Sequence, residues 1–235
     1  MGFLSFILMQ LMAAYLVLVE PLLRANIYRN FKKQLPVDPH ARLLYYRTQV
    51  LWELSWLVVL VLIVIPIPDP LNYLGLTLPN QVGWIISFAL LGGIVLSVSL
   101  IRRNPNALEN MRHSLETSAA VLPSTPAERK WFTIATITAG ICEELLYRGF
   151  FLRYLRTVLP GWNWIVLALL SGIVYGLSRA YQGRKGILTT TLAGFSYAVI
   201  YILGGSLLPA MAFHILADLR TLFFWQPKED KKKSR

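Results

Sequence analysis

The 235-residue chain has one cysteine, Cys142, so no intrachain disulfide can form and the redox compartment stays open. It has only three histidines, His40, His113 and His214, which limits the imidazole chemistry it can assemble. Acidic residues are few, 12 Asp and Glu against 23 Lys and Arg. The basic segments lack the interleaved aromatics and the fold motifs of a nucleic-acid binder, so no nucleic-acid partner is expected. The first apolar run has no basic n-region and no small-x-small cleavage site, and Glu20-Pro21 follows it. It therefore reads as a retained helix, not a secretory signal. Neither end carries a prenylation or myristoylation motif. No internal repeat is visible, and low complexity is confined to the charged tail.

What the chain does have is apolar length. Its hydrophobic fraction is 55%, above that of an ordinary soluble domain. Runs of about 17–22 residues recur, enough for a helix to cross a hydrocarbon core of about 30 Å. The expectation is one all-α, polytopic membrane helix bundle spanning residues 1–235. Seven spans are predicted: about Phe3–Leu22, Thr48–Ile65, Val82–Leu100, Pro126–Val158, Trp162–Ser178, Gly186–Leu203 and Ser206–Trp225. The proline cluster Pro66, Pro68 and Pro70 ends the second. One or two interfacial helices are expected around residues 105–120. The fourth span opens on Thr125-Pro126-Ala127-Glu128, a helix-start signature with the carboxylate where a capping box needs it. Gly140 is its candidate bend.

Basic residues sort by loop. Residues 24–47, 102–130 and 179–185 and the tail are rich in Lys and Arg, whereas 66–81 and 204–206 have none. The positive-inside rule then expects an integral membrane protein with its C-terminus in the cytoplasm and its N-terminus outside. Arg153 and Arg156 fall on the wrong side of that arrangement and are expected to snorkel or sit in the protein interior.

Against this background the stretch Gly140-Ile-Cys-Glu-Glu-Leu-Leu-Tyr-Arg-Gly-Phe150 stands out. Ionisable groups inside a span are costly and tend to face the bundle interior. Glu144 and Arg148 are four apart, share a helical face and can pair. Glu143 is turned by about 100° and is expected to lack that partner, which would suit a general base. The bland alternative is that all three knit helices together. His214 and Asp218 form a second i, i+4 pair that can orient water, hold an oxyanion or join a metal site. Its alternative is an internal pair securing the last helix. Glu53 is a further ionisable residue within a run, and Glu20 and Arg179 lie nearer helix ends.

These residues resemble the CAAX prenyl endopeptidase and bacteriocin-processing (Abi, CPBP) family of intramembrane proteases. The first motif, Glu-Glu-x-x-x-Arg, is Glu143-Glu144-Leu145-Leu146-Tyr147-Arg148, followed by Gly149. The third, His-x-x-x-Asn/Asp, is His214 to Asp218. The second, an aromatic followed four positions on by His, is Tyr175 with Arg179 where His belongs. The resemblance covers about residues 126–225. It implies a glutamate-dependent endopeptidase that cleaves a peptide, prenylated or not, near the cytoplasmic membrane surface. Glu143 would activate the water, Glu144 and Arg148 would support the site, and His214 and Asp218 would stabilise the tetrahedral intermediate. Arg179 cannot take a proton as imidazole does, so an impaired site is one reading. A non-catalytic peptide-binding scaffold or bacteriocin-immunity protein is the alternative. A proton-relaying transporter is a more distant one, without the inverted repeats it would show. Metal dependence stays open. Zinc would have one imidazole from these motifs, against its usual three protein ligands.

Overall fold

The computed structural model describes residues 3–227, and among them the chain is helical with no strand. The basic tail, 228–235, on which part of the orientation expectation rests, lies outside the described residues.

Helix α1 (Phe3–Ala14) runs through a π-helical turn (Tyr15–Val19) into α2 (Glu20–Gln34). The stop predicted near Leu22 does not occur. Pro21 stands in the first turn of α2, just after Glu20 N–H has reached back five residues to the Tyr15 carbonyl. That displaced hydrogen-bond ladder leaves room for a residue with no amide hydrogen. The consequence is functional: Arg24, read from the sequence as a loop cation, sits inside a helix and is buried.

Then come α3 (Ala41–Val64), the short α4 (Pro70–Tyr73), α5 (Gln81–Arg103) and α6 (Pro105–Glu116), the last a helix within the 105–120 segment. Helix α7 (Pro126–Glu144), a π-helical stretch (Leu145–Phe151) and α8 (Leu152–Val158) form the continuous element expected over 126–158. Its start is built as predicted, with Thr125 Oγ1 accepting from Glu128 N–H at 3.2 Å. The Glu128 carboxylate returns to Ser124 N–H at 2.6 Å, one residue earlier than the standard box. The helix is continuous through Gly140, whose bare face receives Ile215. The ladder changes only at Leu145, directly after the two carboxylates. Ser171 Oγ donates to the Tyr147 carbonyl at 3.0 Å within that stretch.

Helices α9 (Trp164–Leu177), α10 (Gly183–Gly204) and α11 (Leu208–Leu219) complete the bundle. A Cβ at Gly172 would lie 2.8 Å from the Thr191 carbonyl, so α9 and α10 touch backbone to backbone, as membrane helices with small residues at their interface can.

The expected seven spans are not confirmed as a count. Among the described residues, four helical segments are long and apolar enough to cross a membrane: Ser5–Gln34, Ala41–Val64, Gln81–Arg103 and Ala180–Gly204. Helix α9 has 14 residues and α11 has 12, lengths of about 21 and 18 Å at 1.5 Å per residue. Helix α7 carries five ionised-type residues, at 128–130 and 143–144. These three elements carry Glu143, Tyr175 and His214.

The bundle has two distinct ends. At one, the loop 66–81 meets the α10–α11 turn: Leu207 N–H bonds to the Gly75 carbonyl at 2.9 Å, and Asn80 Nδ2 to the Leu203 carbonyl at 3.0 Å. Arg153 belongs to this end. It donates to the Asn72 carbonyl at 3.0 Å and lies over the Tyr73 ring, so protein contacts hold the cation that the loop-charge pattern left misplaced. At the other end, residues from the three basic loops, among them Lys32, Thr117 and Lys185, line a common cavity.

Candidate active site

The cavity has a volume of about 670 Å³. Glu143, Arg179 and Asp218 line it, with Arg24 and Glu53. Glu144, Arg148 and His214 do not line it; they are buried behind its wall. The helix period explains the division, because Glu144 points about 100° away from Glu143.

Glu143 is not left without partners, and this corrects the expectation. Arg179 Nη2 lies 2.5 Å from its Oε1, and Arg24 Nη1 lies 3.0 Å from the same oxygen. The Tyr175 hydroxyl donates to Oε2 at 2.7 Å. Arg179 reaches inward because α9 ends at Leu177 and the chain turns back, with Arg179 N–H bonded to the Gly176 carbonyl at 3.0 Å. Its other nitrogen donates to the Tyr181 hydroxyl at 3.3 Å. The guanidinium therefore closes an ion pair with the first motif.

Arg24 is the centre of a second set. It donates to Glu20 Oε1 at 2.6 Å and to Glu53 Oε1 at 2.5 Å, besides its contact with Glu143. All four side chains are almost fully buried. A single guanidinium with five donors in a fixed fork can serve several carboxylates at once, which a lysine cannot. Sequence reading missed Arg24 because it ended the first helix too early. Its signal was present: Glu20 and Arg24 are an i, i+4 pair on a helix that continues.

Behind the wall, Glu144 does hold Arg148, Nη1 to Oε1 at 3.0 Å. The same oxygen lies 2.9 Å from His214 Nδ1. The partner of His214 is thus Glu144 on another helix, and not chiefly Asp218, whose Oδ2 is 3.7 Å from Nε2 and whose side chain is 56% exposed. A carboxylate at Nδ1 sets the proton of the neutral ring there and leaves Nε2 as the free nitrogen. Nε2 faces the polar centre, 3.9 Å from Glu143 Oε2 and 3.5 Å from the Tyr175 hydroxyl. The ring is held flat by Tyr197, with centroids 4.8 Å apart. Arg148 lies under the rings of Tyr175 and Tyr197, 4.4 and 5.2 Å from their centroids, so cation–π attraction adds to its single carboxylate.

Chemically, Glu143 Oε2 and His214 Nε2 face each other across 3.9 Å, with the Tyr175 hydroxyl against both. Among the described residues, no group of three or more His, Cys, Asp or Glu side chains is arranged to hold a metal ion. The near oxygens of both motif glutamates already face guanidinium groups. This donor set does not fit zinc, which takes three protein ligands in catalytic sites.

Residues 126–220 match the family model described as type II CAAX prenyl endopeptidase, Rce1-like. The match contains all seven motif residues, Glu143, Glu144, Arg148, Tyr175, Arg179, His214 and Asp218, and excludes Glu20, Arg24 and Glu53. No curated protein and no solved structure matches the chain. The apolar segments, by length and composition, and the match over residues 126–220 support an integral membrane protein that resembles CAAX proteases over that region.

Proposed function

We propose that this member of the CAAX prenyl endopeptidase family is a peptide-binding intramembrane endopeptidase site whose general base is held in check by Arg179. The observation that carries the reading is the 2.5 Å contact between Arg179 and Glu143, at the one motif position where the chain departs from its family's pattern. The substrate class is a peptide near the membrane surface, and a prenylated peptide is the form on which this family acts.

In the working site, a water lies between Glu143 Oε2 and His214 Nε2. Its oxygen attacks the peptide carbonyl carbon while Glu143 takes its proton. The carbonyl becomes an oxyanion, which His214 meets from Nε2 when that nitrogen carries a proton. Asp218, facing the same nitrogen, supports a proton there. The C–N bond then breaks, and the leaving amine takes the proton from Glu143. Glu144 and Arg148 act through His214 by fixing its ring. With Arg24 and Arg179 on one oxygen and Tyr175 on the other, Glu143 is a weak base, and the wild-type protein turns over at most a trace of substrate.

Purified protein in nanodiscs, given a farnesylated peptide, tests this. Trace cleavage by wild type and a clear rise in Arg179→His are expected. Peptide binding with no cleavage in either protein would establish the alternative, a scaffold that keeps the fold and has lost the reaction.

The same reading places the cavity mouth, the basic loops and the C-terminus on the cytoplasmic side. Cysteines introduced near residues 30 and 230 should then be labelled from the cytoplasm, and one near residue 75 from the opposite side. Labelling of residue 75 together with residue 30 would overturn the orientation, because those loops form opposite ends of the bundle.

A further inference from the structure

Glu53 takes no part in the reaction described above, yet it lines the same cavity as Glu143. Its Oε1 receives Arg24 Nη2 at 2.5 Å, while Arg24 Nη1 reaches Glu143 Oε1 at 3.0 Å. The two carboxylates therefore sit on neighbouring nitrogens of one guanidinium, at a fixed spacing. The second oxygen of Glu53, Oε2, has no hydrogen-bond partner among the described residues. Glu20 Oε2 is also unpartnered, but it is sealed inside the bundle, whereas Glu53 opens on the cavity. Glu53 is otherwise 2% exposed, so only a group in the cavity can satisfy that oxygen. Gln49 stands one helical turn nearer the mouth and Tyr45 a turn beyond it, both lining the cavity. Tyr45, Gln49 and Glu53 thus form one row along α3, each four residues from the next. The Gln49 side chain has no hydrogen-bond partner among the described residues. A four-residue step on a helix is about 6 Å. Two residues of an extended chain span about 6.6 Å, so an extended peptide lying along α3 meets the row in step.

We propose that this row on α3 is a track for an extended peptide backbone, with Glu53 Oε2 accepting one backbone N–H and Gln49 meeting the backbone two residues along. The inference rests on the peptide-site reading above and names the element that orients the peptide there. A neutral donor suits the position. Arg24 already meets the charge of Glu53 and shares Glu143 with Arg179, so a cationic ligand group would meet repulsion that a peptide N–H does not. An N–H on a carboxylate is a charge-assisted hydrogen bond. Backbone donors recur in every sequence, so the track fixes where a peptide lies without choosing its side chains. Because Arg24 ties Glu53 to Glu143, an amide held on Glu53 sets how far the peptide stands from the base. Glu53 is therefore a positioning residue, acting only through the peptide it holds. The track lies outside the matched residues 126–220, in the half of the chain that the family motifs do not reach.

The test is binding, measured on the full-length protein in nanodiscs. The parent probe is a tetrapeptide of leucine and alanine, acetylated and amidated so that it carries no charge. Further probes each carry one N-methyl group, on a different backbone amide. In wild type, one methylated peptide should bind about 10- to 100-fold more weakly than the parent, the range of one hydrogen bond to a charged group. Glu53→Gln should abolish that deficit at unchanged side-chain volume. Arg24 still donates to position 53, so the glutamine oxygen turns to it and the NH2 group faces the cavity, with no acceptor for the peptide. Gln49→Leu should weaken the parent about 3- to 10-fold, the range of a neutral hydrogen bond, and keep the deficit that depends on Glu53. Equal deficits in wild type and Glu53→Gln, or no deficit for any methylated peptide, would overturn the track while leaving peptide binding intact. Wild-type affinity in Gln49→Leu would overturn the row along α3. Failure of the parent to bind at all would overturn the track and the peptide-site reading together. A lysine-bearing peptide that binds more tightly than its norleucine analogue in wild type, but not in Glu53→Gln, would make position 53 a receptor for cations and overturn the neutral donor.

Discussion

In an Arg179→His background, Glu143→Gln should return peptide cleavage to the wild-type trace, a fall of about 10²–10⁴-fold, the usual size of a general acid–base contribution. The substitution at 179 removes the closest cation from Glu143 Oε1 and supplies a group able to exchange protons near neutral pH. Glu143 still has Arg24 on that oxygen at 3.0 Å, so the carboxylate keeps a fixed orientation. What changes is the electrostatic hold on the carboxylate as a whole, whose Oε2 faces His214 Nε2 across 3.9 Å. Glutamine occupies the same volume and cannot accept a proton as a base. The pair of variants therefore separates two explanations of a weak wild type. A gain in Arg179→His that disappears with Glu143→Gln identifies the guanidinium as the clamp and Glu143 as the base. A gain that survives Glu143→Gln would discard Glu143 as the base. An Arg179→His protein as silent as wild type, with Glu143 still essential for a trace, would show that another group completes the site.

Arg24→Met should be the most destabilising single change in the polar centre, by about 3–5 kcal/mol, the cost of breaking a buried pair from one side. The loss leaves Glu20 and Glu53 facing each other's charge with no cation between them, and Glu143 with Arg179 alone. Arg24→Lys should recover only part of the loss, since a single ammonium cannot match a fork that reaches three carboxylates. Adding Glu53→Gln to Arg24→Met should also recover part, by removing one uncompensated charge, and the non-additivity of the double variant measures the coupling. Thermal unfolding of the detergent-solubilised protein, followed by loss of helicity or by aggregation, reads wild type, these three variants and the Glu53→Gln single variant that closes the cycle. An Arg24→Met protein within about 0.5 kcal/mol of wild type would be the signature of a surface cation, and would remove Arg24 from the site.

Local periodicity and composition were enough for much of this protein. The apolar runs, the Thr125 cap with its Glu128 return, and the Glu144–Arg148 pairing are all set by contacts within one or two helical turns. Such contacts depend on spacing along the chain, which is visible in a sequence. The motif residues from Glu143 to Asp218, with Arg179 in place of histidine, were legible for the same reason. The helix period also separated Glu143 from Glu144 correctly, one toward the cavity and one away from it. It could not say what each would meet, because that depends on which helices pack together. Glu143 gained Arg24 from α2 and Arg179 from the turn after α9, so a carboxylate expected to be unpartnered is the most heavily contacted one. His214 found Glu144 across the bundle at 2.9 Å, while its neighbour in sequence, Asp218, turned largely to solvent. Arg24 itself changed category, from loop cation to buried hub, when a π-helical turn carried the first helix past Pro21. A buried charge must be compensated wherever the fold can bring an opposite one. Helical spacing limits which residues share a face, and only the packing of those faces decides their partners.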